Sequence, residues 1–294
     1  MFNTEKRKGI FRIKYILIIC TTIVVTLISF SLLFFSKENS EFLNDLKNKS
    51  NDSSTPLNES VTPAASEQID ELKAELAKYQ SFQNSNYLVI VNSEKPLEKD
   101  YSPSNLETMT SNSALKMVKE AKEQAEALLS EALSNGYNYT LLSCYRDYAA
   151  QETAYNKAIQ SNMSAGYNRE DAEKLVKTVV AAPGESEYAT GLIFEVAVTR
   201  TMTSPEFKDT PLYNYLIENA HKYGFVLRYP EDKEHITGYN FNACAFRYVG
   251  SVESSTYMKD KKLTLEEYSD YVQREITVIT QKISALESGG QIKS

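Results

Sequence analysis

At 294 residues the chain is long enough for one globular domain plus accessory segments, and a composition 42% hydrophobic and 24% charged excludes a wholly disordered, collagen-like or polytopic membrane chain. Three cysteines exclude a disulfide scaffold, and two histidines, His221 and His235, leave little for a metal centre built on several imidazoles. Residues 1–14 carry a local +4 (Lys6, Arg7, Lys8, Arg12 and Lys14 against Glu5), so the net −7 leaves −11 on the remainder, which offers no basic surface for nucleic acid.

After that basic tail, Tyr15–Phe35 holds 21 residues without a charge. As a helix rising about 1.5 Å per residue it matches the roughly 30 Å hydrocarbon core of a bilayer. The basic cluster before it predicts a cytoplasmic N-terminus and an extracytoplasmic remainder, with the cytoplasmic membrane held through one helix. A cleaved signal peptide is the alternative, but the apolar stretch exceeds an ordinary h-region and no A-x-A site follows it. Residues 36–65, rich in Ser, Asn, Thr, Pro and charge, predict a flexible stalk. A short helix is expected over 66–82, with Ser66 as N-cap. Its Ile69, Leu72, Leu76 and Tyr79 follow an a/d spacing over about two heptads, which suits either a short amphipathic helix leading into the domain or a weak homodimer through residues 66–80.

The globular domain is expected over 83–275, with a C-terminal tail over 276–294. NYLVIVN, from Asn86, reads as a β-branched strand. The stretch beginning SALKMVKEAKEQ reads as a helix whose face is Leu115, Val118, Ala121, Ala125, Leu128 and Leu129, with Gly136 as its stop. A strand through Leu142, a helix from near Tyr148 and a charged helical segment from Arg169 follow. A loop holding Gly184 and Gly191 then leads into a strand, and an amphipathic helix ends at Gly224. FVLRYP and FRYVG read as short strands around a turn-rich insertion. Helices and strands mix without regular βαβ alternation, so the expected class is α+β with a mainly antiparallel sheet and flanking helices.

Several of these segments, in this order, resemble the signature blocks of the VanY-type D-alanyl-D-alanine carboxypeptidases, zinc enzymes acting on peptidoglycan stem peptides. The blocks are Ser143-Cys144-Tyr145-Arg146 with Gln151, Pro183-Gly184-Glu185-Ser186-Glu187, Thr190-Gly191-Leu192, YGFVLRYP, Thr237-Gly238-Tyr239, Arg247-Tyr248-Val249-Gly250 and LTLEEY. The resemblance covers roughly residues 86–270 and implies that family's fold. It also implies that a His and an Asp bind zinc seven residues apart, and that a later E-P-W-H block supplies the general base and the third ligand. In this sequence those positions hold Tyr188, Glu195 and, for the last block, Asn242-Ala243-Cys244-Ala245.

A catalytic zinc needs three protein donors and an open position for water. Ala245 has no donor atom, Tyr188 is a phenol, Glu195 is one methylene longer than Asp, and Asn242 neither takes nor gives a proton in the working range. Zinc and peptidase activity are therefore expected to be lost, with no catalytic residue left. The resemblance places Arg146 and Ser186 near the substrate, Arg146 offering a planar fork to a carboxylate, with Gln151 and Tyr239 supporting that wall.

His221 is expected to be a solvated surface residue, and His235 to lie near the rim of the cleft. For Cys144 and Cys244 a disulfide, two buried thiols or a thiolate site are all open; strand alternation disfavours the disulfide by placing Cys144 on the face of Arg146 and Cys244 opposite Ala245. The expected function is that of a membrane-anchored, extracytoplasmic pseudoenzyme that binds peptidoglycan stem peptide or regulates a cell-wall enzyme. An active carboxypeptidase with a non-standard metal site (Glu195, Tyr188, His235 or Cys244) and a purely structural spacer are the alternatives.

Overall fold

The computed structural model describes residues 63–288. The basic tail, the expected membrane helix at 15–35 and nearly all of the stalk lie outside the described residues. Among those described, no helix is long and apolar enough to cross a membrane. The chain divides into two compact units, residues 75–278 and a smaller unit whose described parts are 63–74 and 279–288. In the smaller unit Ile69, Ile279, Ile283 and Leu286 are buried, and Lys73 Nζ donates to Glu287 Oε1 at 2.8 Å.

The larger unit is built on a four-stranded sheet of order β3-β4-β6-β5, antiparallel throughout: β3 (Thr140–Ser143), β4 (Ile193–Ala197), β5 (Phe225–Tyr229) and β6 (Asn242–Tyr248). Alternation along these strands gives the sheet two different faces. Phe194, Val196, Phe225 and Phe246 turn to one side. There they form the main core with Ala121, Ala125, Leu128 and Leu129 of α2 (Lys119–Ser134) and Leu212 and Leu216 of α6 (Pro211–Asn219). Phe194 and Phe246 stack with centroids 5.7 Å apart, and burying each contributes roughly 1.5–3 kcal/mol. The intervening residues, Ile193, Glu195, Ala245, Arg247, Val226 and Arg228, belong to the opposite face.

Asp147 starts α3 (Tyr148–Ser164) by accepting from Ala150 N at 2.7 Å, and Asn168 caps α4 (Arg169–Lys177) by accepting from Asp171 N at 3.0 Å. The short helices α5 (Ser204–Lys208) and α7 (Glu234–Thr237) sit in the connections. Behind β5, α8 (Val252–Lys261) and the first part of α9 (Leu265–Glu287) enclose a second core around Val226, Met258, Leu265, Tyr268 and Val272.

Several expectations are corrected. SALKMV is not helical: Asn112–Val118 is β2, paired antiparallel with β1 (Leu106–Met109), and the helix starts only at Lys119. NYLVIVN is not a strand. It forms a 3₁₀ turn at Asn86–Leu88 followed by extended chain whose ladder partners are side chains. Arg247 Nη2 donates to the carbonyls of Tyr87 and Val89 at 2.8 and 3.0 Å, and Val91 N–H donates to Glu187.

The last strand begins at Asn242 rather than at FRYVG, so it carries the positions of interest. Helix α1 runs Pro63–Asn84, placing Ser66 inside it rather than at its cap, and α9 continues past residue 275, where a tail was expected. The a/d seam of α1 has an intramolecular partner where it enters the larger unit. Tyr79 and Phe82 pack into the second core, and the hydroxyls of Tyr79 and Tyr271 lie 2.9 Å apart. That end of the seam is therefore not free for a second copy.

Candidate functional site

Three neighbouring strands bring Ser143, Glu195 and Ala245 into one row, because Ser143 pairs with Glu195 and Glu195 with Ala245 in the sheet register. Directly opposed side chains in such a row lie about 4.5–5.5 Å apart at Cβ, close enough to share a ligand or a hydrogen bond. Asn242, at the irregular start of β6 opposite Tyr229, reaches across so that its Nδ2 donates to Glu195 Oε1 at 2.9 Å. Tyr188 lies over the same carboxylate from the 3₁₀ turn Glu187–Thr190. Burial, and then Glu195, drive its phenol well above the ordinary value, so it stays protonated. Ile193, Tyr229, Ala245, Tyr188 and Tyr239 form the apolar surround, with Tyr229 and Tyr239 edge to face at 5.3 Å.

The wall beside this row is basic. Arg146 stacks over the Tyr188 ring at 4.8 Å, and its two terminal nitrogens donate to Gln151 Oε1 and Ser143 Oγ, each at 2.9 Å. Gln151 is itself fixed, donating to the Ala181 carbonyl at 2.6 Å. Both acceptors are neutral, so the guanidinium charge has no carboxylate partner among the described residues. Tyr239 donates to the Glu185 carbonyl at 3.3 Å. Ser186, expected near the substrate, is 2% exposed, and its hydroxyl accepts from Tyr188 N at 3.4 Å as cap of the 3₁₀ turn.

The loop that presents Tyr188 is anchored by buried ion pairs. Glu187, 1% exposed, takes a bidentate pair from Arg228 (2.9 and 2.7 Å) and a third bond from Arg247 at 3.2 Å. Burial alone would raise its pKa, yet the two guanidiniums hold it below the ordinary carboxylate range. Arg228 also bonds Glu266 of α9 at 2.6 Å. Gly191 closes the turn at φ +69°, where an added Cβ would meet a Leu106 methyl at 2.9 Å. The anchor was missed in the sequence, although arginines inside the apolar runs FVLRY and AFRY are a signal of buried ion pairs.

Both thiols are free and buried in the main core. Cys144 therefore does not share a face with Arg146, because the chain turns after Ser143 and breaks the alternation. A bond to Cys244 would have to span β4, two strand spacings of about 4.8 Å, against the roughly 7 Å Cα limit of a disulfide. Burial and then Glu195 push both thiols up to about 12. His221 is half-buried rather than solvated, and its Nδ1 lacks a hydrogen-bond partner. His235 is exposed on α7, beside a separate hollow of about 280 Å³ that Tyr239 also lines.

Comparison with known proteins identifies the family and its fold. The profile of the VanY family, described as D-alanyl-D-alanine carboxypeptidase, matches residues 114–251. A bifunctional D-Ala-D-Ala dipeptidase and carboxypeptidase of Enterococcus gallinarum, VanXYC, is 31% identical over 192 residues, 64% of this chain and 95% of that protein. The chain belongs to the VanY family. Among solved structures, VanYB in complex with D-alanine-D-alanine is 27% identical and aligns with a TM-score of 0.56, over 63% of this chain and 98% of that one. A variant of the VanY D,D-pentapeptidase of the VanB-type resistance cassette, in complex with Zn(II), is 28% identical with a TM-score of 0.56, over 63% of this chain and 99% of that one.

The donor set of this VanY-family member does not fit such a zinc ion. Its single carboxylate is held by an amide N–H, the opposing position is a methyl, and the third group is a protonated phenol. Among the described residues no three His, Cys, Asp or Glu side chains converge to hold a metal.

Proposed function

We propose that this VanY-family member is a membrane-anchored, extracytoplasmic protein that binds a peptidoglycan stem peptide, or regulates a cell-wall enzyme, without hydrolysis. The observation that carries this reading is the bond from Asn242 to Glu195 opposite Ala245: the carboxylate is engaged by a neutral donor, and a methyl stands opposite it where a metal ligand would be needed to activate water. The preserved wall supports the binding half of the proposal. Arg146 is oriented by Gln151 and Ser143 and stacked on Tyr188, yet carries an uncompensated charge suited to the terminal carboxylate of a D-Ala-D-Ala peptide. The anchor and topology rest on the uncharged stretch 15–35 and the basic residues before it.

The test uses the full chain, metal analysis and an L-Ala-D-Glu-L-Lys-D-Ala-D-Ala pentapeptide. Saturable binding that Arg146→Ala weakens at least tenfold, with no D-alanine released, is the expected result. Stoichiometric zinc with chelator-sensitive D-alanine release overturns the proposal in favour of an active carboxypeptidase. Equal retention of the peptide by parent and Arg146→Ala removes the cleft as the binding surface.

A further inference from the structure

A second hollow, of about 400 Å³, lies where the loop 101–105, the 3₁₀ turn at 86–88 and the start of α2 meet. That is the size of an ordinary small-molecule site, roughly 300–1,000 Å³. Its lining contains no Lys, Arg or His. Asn86, Ser102, Ser104, Asn105 and Glu120 contribute side chains that have no hydrogen-bond or ion-pair partner among the described residues, so their donors and acceptors are open to a ligand. Tyr101, 38% exposed, adds an aromatic face, and Val118 and Leu192 add apolar surface.

The chemistry of this lining selects among ligands. A carboxylate would face Glu120, and Arg247, the guanidinium within reach of Tyr101, is fully buried and committed to Glu187 and to the Tyr87 and Val89 carbonyls; a metal ion would find a single carboxylate. A neutral polyhydroxyl ring matches it better: one apolar face for the tyrosine, with hydroxyls for the amide, serine and carboxylate groups. An acetamido substituent would place its methyl against Val118 or Leu192 and its N–H and C=O against an asparagine amide. We infer that this hollow is a saccharide site for an N-acetylated amino sugar of the glycan strand to which stem peptides are attached. The inference rests on the peptidoglycan reading proposed above.

Isothermal titration of the full chain with chitotriose, maltotriose and the free pentapeptide tests it. Chitotriose is expected to bind, and Tyr101→Ala and Asn105→Ala to weaken it on the order of tenfold while leaving pentapeptide binding intact. Arg146→Ala should do the reverse. Tyr101 and Asn105 are exposed, and thermal melts matching the parent would confirm that both variants fold. No saturable chitotriose binding by the parent at millimolar concentration, or equal binding by both variants, overturns the site. Equal affinity for maltotriose, which lacks the acetamido group, overturns the assignment to an N-acetylated sugar. Tyr101-dependent chitotriose binding without any pentapeptide binding sinks the peptide reading and leaves the saccharide site standing.

Discussion

Asn242 and Glu195 depend on each other, because each supplies what the other would otherwise lack in a half-buried position. Replacing Asn242 with Ala leaves the half-buried carboxylate with one neutral phenol. The expected cost is about 1–3 kcal/mol, read as a lower urea midpoint at unchanged m-value. The identities at positions 188, 195, 242 and 245 were legible from the sequence because each change removes or alters a named donor. How they are arranged was not. That Asn242 would turn toward Glu195 depends on the irregular register where β6 meets β5, which no residue pattern announces. The capping role of Ser186 was hidden for a similar reason: a hydroxyl that can face a ligand can equally cap a turn.

Elements with one clean signal were read correctly. The helix beginning at Tyr148, the strand after Gly191 and the helix ending at Gly224 each carry a cap or an amphipathic pattern. Failures came where tertiary pairing overrides local preference. SALKMV has helix-forming residues, yet pairing with β1 makes it a strand. NYLVIVN is β-branched, yet a guanidinium and a carboxylate stand where a neighbouring strand would be. The turn Glu187–Thr190 depends on its C-terminal glycine in both space and φ. Gly191→Ala is expected to destabilise the domain by more than about 1 kcal/mol in chemical denaturation, through strain at positive φ and the clash with Leu106.

For the whole molecule, the buried cluster of Glu187, Arg228, Arg247 and Glu266 links the site loop, β5, β6 and α9, and it sets the response to acid. Glu187 has a folded pKa below its unfolded value of about 4.3, so its contribution is complete above that value and is lost as pH falls through the folded pKa. His221, depressed by burial and by Lys259, acts in the same direction: below about pH 6.5 the unfolded chain takes up a proton that the folded one refuses. Stability measured by urea titration should therefore decline in two stages on acidification. Glu187→Gln should lower stability at pH 7 and flatten the more acidic stage, whereas an unchanged acid limb would show that the carboxylate is not the titrating group.

The same cluster lies one residue away from Tyr188, on the same face of the sheet as the row of Ser143, Glu195 and Ala245, yet its ion pairs use none of that row's side chains. The loop is thus clamped by ion pairs separate from the hydrogen bonds of the row. A lineage could exchange one set of chemical tools on that platform for another, or discard them, while the platform kept its height and tilt. Redesign of this scaffold can begin from the row alone, provided the clamp beside it is left untouched.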